Sequence, residues 1–137
     1  MVAPGVDADT AGMGRLFTLT EARALMPEVQ RRAAAYIVLR ADFAEAGAAL
    51  RAGNPAAVGG IAEAKSLEAR VHEEIEWFRE QGIQVKGVAP LLIDFPALAE
   101  GRQVLLCWLE GEAELAWYHP AELGFMGRRR IEGLPAV

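Results

Sequence analysis

The sequence predicts an α+β domain, a long antiparallel helical hairpin followed by a small antiparallel β-sheet. Three observations predict it. Apolar residues recur at helical spacing up to about residue 50 and again from Leu67 to Phe78. After Gly82 the helical period is lost and short apolar runs replace it. Glu110-Gly111 then reads as a turn between two of those runs.

The first helix opens on Thr18-Leu19-Thr20-Glu21, a capping box in which Thr18 is the N-cap and Glu21 reaches back to it. Ala22, Leu25, Met26, Val29, Ala33, Tyr36, Ile37, Phe43 and Leu50 carry the stripe. Pro27 lies inside and is expected to kink the helix, because proline removes a backbone donor. Gly53-Asn54-Pro55 is the expected break, and Gly59-Gly60 blurs the next start. In the second helix Leu67, Val71, Ile75 and Phe78 form the apolar stripe. Gly82 is placed to take a left-handed cap, with Ile83 returning to Phe78. Ile83–Val85 and Leu91–Ile93 are short strand candidates. Val104–Leu109 is a stronger one, and Glu112–His119 is the returning strand.

The expected boundaries are a disordered tail over 1–15, one domain over 16–130, and a tail over 131–137. Within the domain the hairpin takes 16–82 and the sheet with its loop takes 83–130. Two helices cannot bury both sides of their stripes. With the sheet on one side, a second copy is expected on the other, so a two-fold homodimer is predicted.

Composition narrows the function classes. The chain has 137 residues, 53% of them hydrophobic, and a formal charge of −5. An acidic chain is not expected to bind nucleic acid or an anionic membrane, since phosphate contact needs basic patches. No apolar run approaches a bilayer span, and residues 1–14 lack the basic start and apolar centre of a signal peptide. Cys107 is the only cysteine, which fits a reducing cytoplasm. There is no phosphate-binding Walker loop, Gly-x-Gly-x-x-Gly, Cys-x-x-Cys, His-Glu-x-x-His or Gly-x-Ser-x-Gly, so no cofactor is specified.

Side chains alternate across a strand, so the parity of the Glu110 loop decides which residues share a face. An even loop puts Arg102, Val104, Leu106 and Trp108 with Ala113, Leu115, Trp117 and His119. An odd loop puts His119 with Leu105 and Cys107. The even case is the expectation, and it brings Arg102 to His119.

Four groups of residues could carry chemistry. Arg102, His119 and the Gly124–Arg128 loop could hold an anion, with guanidinium forks and converging backbone N–H groups. The residues by themselves favour local satisfaction, with His119 capping the strand, Arg102 paired to Asp94 or Glu100 and Arg128–Arg130 solvated. Glu68, His72 and Glu76 share one helix face, where His72 and Glu76 could chelate a metal, although a glutamate-rich helix makes such spacing common. Cys107 could be a nucleophile only with a base, and His119 is the nearby one; a buried thiol otherwise behaves as a small hydrophobe. Trp77, Phe95, Trp108, Trp117, Tyr118 and Phe125 could wall a pocket or fill the core.

The motifs in order are Leu92-Ile93-Asp94-Phe95-Pro96-Ala97, Gly101-Arg102, Leu106-Cys107-Trp108, Gly111-Glu112, Trp117-Tyr118-His119 and Gly124-Phe125-x-Gly127-Arg128. With Phe17-Thr18-x-x-Glu21-Ala22 and Leu25-Met26-Pro27, the string resembles the bacterial domain-of-unknown-function family 2203 over residues 16–130. The resemblance implies a compact intracellular domain and no particular reaction. It implies characteristic positions at Asp94, Arg102, Trp108, Glu112, His119 and Arg128. The chain departs from the family in one place, carrying Trp117-Tyr118-His119 where Tyr-Trp-His is common.

The expected function is a dimeric binding module for a small anionic or flat aromatic ligand. Arg102 and Arg128 would clamp charge, His119 would hydrogen-bond, Trp108 or Trp117 would wall the pocket, and Asp94 would orient an arginine. Glu112 belongs to the same candidate set. One alternative is a small enzyme using His119 with Asp94 or Glu112, with a metal at His119. The other is a helical interaction module.

Overall fold

The capping box forms as the residue types dictate. Glu21 N donates to Thr18 Oγ1 at 3.0 Å and Thr18 N donates to Glu21 Oε1 at 3.0 Å, which satisfies two amides that the helix leaves over. The computed structural model describes residues 14–53, 60–135 and 137. Most of the expected N-terminal tail, the Asn54-Pro55 part of the break, Gly59, and Ala136 of the expected C-terminal tail lie outside them.

Two helices come first, α1 (Leu19–Arg51) and α2 (Gly60–Glu80). Five strands follow: β1 (Gln84–Val88), β2 (Leu91–Ala99), β3 (Arg102–Leu109), β4 (Trp117–Pro120) and β5 (Arg129–Arg130). Each strand pairs antiparallel with the next, in the order β1-β2-β3-β4-β5. The fold is α+β.

The chain divides into two compact units. Glu28–Trp77 is one of them. Its core holds Val29, Ala33, Tyr36, Leu39, Leu67 and Ile75. There Arg32 lies over the Trp77 ring at 4.8 Å and pairs with Glu74 at 3.7 Å.

The other unit joins the chain up to Pro27 with Phe78–Val137. α2 ends in it by a Schellman cap. Ile83 N donates to Phe78 O at 3.0 Å and Gly82 N to Arg79 O at 2.9 Å, with Gly82 at φ +85°. Only glycine suits this position. A Cβ here would stand 2.6 Å from Arg15 Cβ, besides the strain of the left-handed backbone.

β2 is longer than the Leu91–Ile93 run expected, and it continues through Pro96. Its pairing with β1 stops at Asp94, so at Pro96 the strand is already an edge and the missing amide costs no ladder bond there. Phe17 N occupies that edge by donating to Pro96 O at 2.7 Å, and the Phe17 ring packs edge-on to Phe95 at 5.2 Å. β2 and β3 are joined by Glu100-Gly101, both at positive φ (52° and 80°), a two-residue hairpin turn that the sequence reading did not anticipate.

The registers define two faces. Leu91, Ile93, Phe95, Ala97, Val104, Leu106 and Trp108 share one face and are buried. The other carries Asp94, Leu105, Cys107, Trp117 and His119. β3 is apolar between its ends because both of its faces are covered.

Two expectations fail here. The returning strand does not begin at Glu112; β4 starts at Trp117. Glu112 is instead held in the turn, its Oε1 accepting from Leu109 N at 2.9 Å and its backbone oxygen accepting from Trp108 Nε1 at 3.0 Å. Nor does His119 share a face with Arg102. His119 pairs with Leu105 and Cys107 with Trp117, so the connection has odd parity. The connection between Leu109 and Trp117 is odd in length, with Glu112 folded back onto the end of β3, and side-chain periodicity cannot reveal this.

Candidate functional site

The polar face of the sheet forms the floor of a cavity of about 320 Å³. Lys86, Asp94, Cys107 and His119 supply its chemistry, while Leu92, Leu123 and Phe125 supply apolar wall. Each polar group comes from a different strand. β2 and β3 set Asp94 opposite Cys107, and β4 places His119 beside Leu105, one step along the same face. In β1 a bulge between Val85 and Gly87 accommodates Lys86 near Leu92 and Asp94. Residues 121–125, which follow β4, also line the cavity.

Asp94 is 1% exposed and His119 3%, which demands that their polar atoms be matched. His119 Nδ1 lies 2.9 Å from Pro120 O, which can only accept, so Nδ1 carries a proton. His119 Nε2 lies 3.2 Å from Asp94 Oδ2. Two bare lone pairs would repel at that distance, so one proton is held between them. Lys86 Nζ donates to the same Oδ2 at 3.1 Å. Asp94 Oδ1 is buried without a partner of good hydrogen-bond geometry, although the Cys107 thiol interacts with the same carboxylate. Burial pushes the Cys107 thiol up to about 12, and the neighbouring Asp94 carboxylate adds to the shift. The thiol is therefore a poor nucleophile as it stands.

The expected anion clamp is not assembled. Arg102 faces away from His119, is 78% exposed and pairs with Glu122 at 3.6 Å, not with Asp94 or Glu100. Arg128 is near the cavity but committed. Its Nη2 donates to Glu112 Oε1 at 2.7 Å and to Cys107 O at 3.3 Å. Its guanidinium lies between the Trp117 ring at 4.9 Å and the Phe125 ring at 4.7 Å. It is a staple between the C-terminal loop and the sheet. Arg129 and Arg130 are exposed, but they also form β5, and Arg130 pairs with Glu132 at 3.1 Å.

The aromatic set divides in the same way. Phe95 and Trp108 are core, Trp117 backs Arg128, and Phe125 contributes to the cavity wall. Asp94 does not orient an arginine; its charged partner is Lys86. His72 and Glu76 are exposed on α2, and Glu68 pairs with Lys65 at 3.7 Å. Among the described residues, the group of three potential metal donors is Asp94, Cys107 and His119, all within 4.8 Å of one another.

Sequence reasoning missed Lys86. The available signal was its position two residues from Gln84, which pairs with Asp94 across β1 and β2. Reading it required the register of a hairpin whose turn, at Ala89-Pro90, had not been placed.

Fold and cavity together define a small α+β protein with a partly polar pocket on one sheet face. The chain belongs to the family described as an uncharacterized conserved protein, DUF2203, whose model matches residues 15–131. No curated protein and no solved structure matches it significantly. Among the described residues, no helix is long and apolar enough to cross a membrane.

Proposed function

We propose that this chain binds a small polar molecule over the Asp94–His119 pair and exchanges a proton with it. One observation carries the reading: Asp94, whose buried Oδ1 has no hydrogen-bond partner of good geometry, lines the same cavity as His119. Leaving such an acceptor unmatched costs about 1–3 kcal/mol, which a ligand with an N–H or O–H donor would recover. The proton between His119 Nε2 and Asp94 Oδ2 is positioned for general acid–base work. Leu92, Leu123 and Phe125 suit a compact or flat body. An anionic ligand would have Lys86 as its cation, because both arginines are engaged elsewhere.

The test is ligand-observed NMR with small amides, phenols and carboxylates. Donor-bearing compounds are expected to bind, to lose binding in Ala121→Trp, which fills the cavity, and to keep it in Arg102→Ala. Binding that follows Arg102 instead would restore the arginine clamp. Silence across the panel would remove the pocket.

The assembly we propose is a cytoplasmic two-fold homodimer, with α1 and α2 as an antiparallel hairpin. Val38 and Ile61, 59% and 69% exposed, are apolar surface that a second copy would cover. Sedimentation equilibrium is expected to return twice the chain mass; the mass of a single chain at all concentrations would refute the dimer.

A further inference from the structure

We propose that Asp94, Cys107 and His119 form a binding site for a zinc-class divalent cation. The inference rests on the reading of this cavity as a working site. Thiolate, imidazole and carboxylate form a donor set suited to zinc and cobalt. With bonds of about 2.0–2.3 Å, tetrahedral zinc holds its donors about 3.3–3.6 Å apart. His119 Nε2 and Asp94 Oδ2 already stand 3.2 Å apart, and all three donors lie within 4.8 Å. Rotation about side-chain bonds closes the remainder.

Two further features point to a cation. Asp94 Oδ1 is buried without a partner of good hydrogen-bond geometry, so the carboxylate has an acceptor to give. His119 Nδ1 donates to Pro120 O at 2.9 Å, which fixes the ring and leaves Nε2 as the ligating atom. Metal-bound histidines are generally oriented by such a bond from the second nitrogen. Charge also balances. An Asp94 carboxylate and a Cys107 thiolate neutralise a divalent ion, whereas either anion alone would be costly at this depth. On binding, the thiol proton and the proton between His119 and Asp94 leave to solvent. Lys86, 42% exposed, turns outward from the position it takes against Asp94. Three protein donors leave a fourth position toward the cavity, the arrangement of catalytic rather than structural zinc.

The experiment is titration of the full chain with Co(II), followed by absorption spectroscopy. One equivalent is expected to produce the visible bands of tetrahedral cobalt and a near-ultraviolet thiolate-to-cobalt band, both removed by zinc. Cys107→Ser should abolish the thiolate band, and Asp94→Asn and His119→Gln should each weaken binding at least tenfold. Lys86→Met, which removes a competing cation, should bind at least as tightly as wild type. Because the wild-type spectrum needs no variant, a misfolded mutant does not shield the proposal. Absence of the thiolate band in folded wild type, or its persistence in Cys107→Ser, overturns the metal site and leaves the pocket reading to its NMR test. A full cobalt titration with no panel compound bound overturns the pocket reading and leaves the metal site standing.

Discussion

Asp94→Ala is expected to destabilise the protein by about 3 kcal/mol, because removing one partner of a buried charge pair strands the others. The carboxylate is the common partner of Lys86 at 3.1 Å and His119 at 3.2 Å. His119 cannot escape to water, being 3% exposed, whereas Lys86 can turn outward, which keeps the loss at the low end of the range for buried pairs. The volume left behind adds a cavity cost. Asp94→Asn should lose less, since the amide keeps the shape and one acceptor. Urea denaturation of both variants checks this. A loss under about 0.5 kcal/mol in Asp94→Ala, the level of an ordinary surface substitution, would mean that Asp94 does not anchor His119.

Arg128→Ala should cost about 2–4 kcal/mol, the sum of a charge-assisted bond and two contacts with aromatic faces. The side chain is 11% exposed, so water replaces little of what is lost. It ties Glu112, in the turn after β3, to the Trp117 and Phe125 rings. Phe125 lines the cavity, so the loop it belongs to should loosen as well as the fold. Arg128→Lys should recover only part, because an ammonium lacks the planar fork that bonds at its edge while stacking between rings. Hydrogen exchange should show faster opening around residues 121–128 in Arg128→Ala. Stability within about 0.5 kcal/mol of wild type would reduce the staple to a surface ion pair.

The local signals were legible because their causes are local. The capping box at Thr18 and Glu21 and the glycine cap at Gly82 involve residues within six positions of one another, and they form as the residue types require. The α+β order follows from periodicity in the same way. Residue type and strand position single out His119, and Asp94 enters as a possible partner of Arg102, before the family resemblance adds weight to both; their contact with each other spans 25 residues of sequence.

What only the tertiary structure decided was register. Sequence alternation says which residues of one strand share a face, but not which face meets which across a loop. The connection from β3 to β4 is odd in length, with Glu112 bonded back to Leu109 inside it, and this register places His119 beside Leu105 and within reach of Asp94 rather than on the face of Arg102. Likewise, charge and residue type made Arg102 and Arg128 equal candidates. Position alone separates them, one in solvent with Glu122 and one clasped between two rings. Lys86 enters by the same route, through a bulge and a hairpin register. Pairing between distant strands is a property of the whole chain's packing, so the sequence by itself determined the elements and the tertiary structure determined which of their side chains meet.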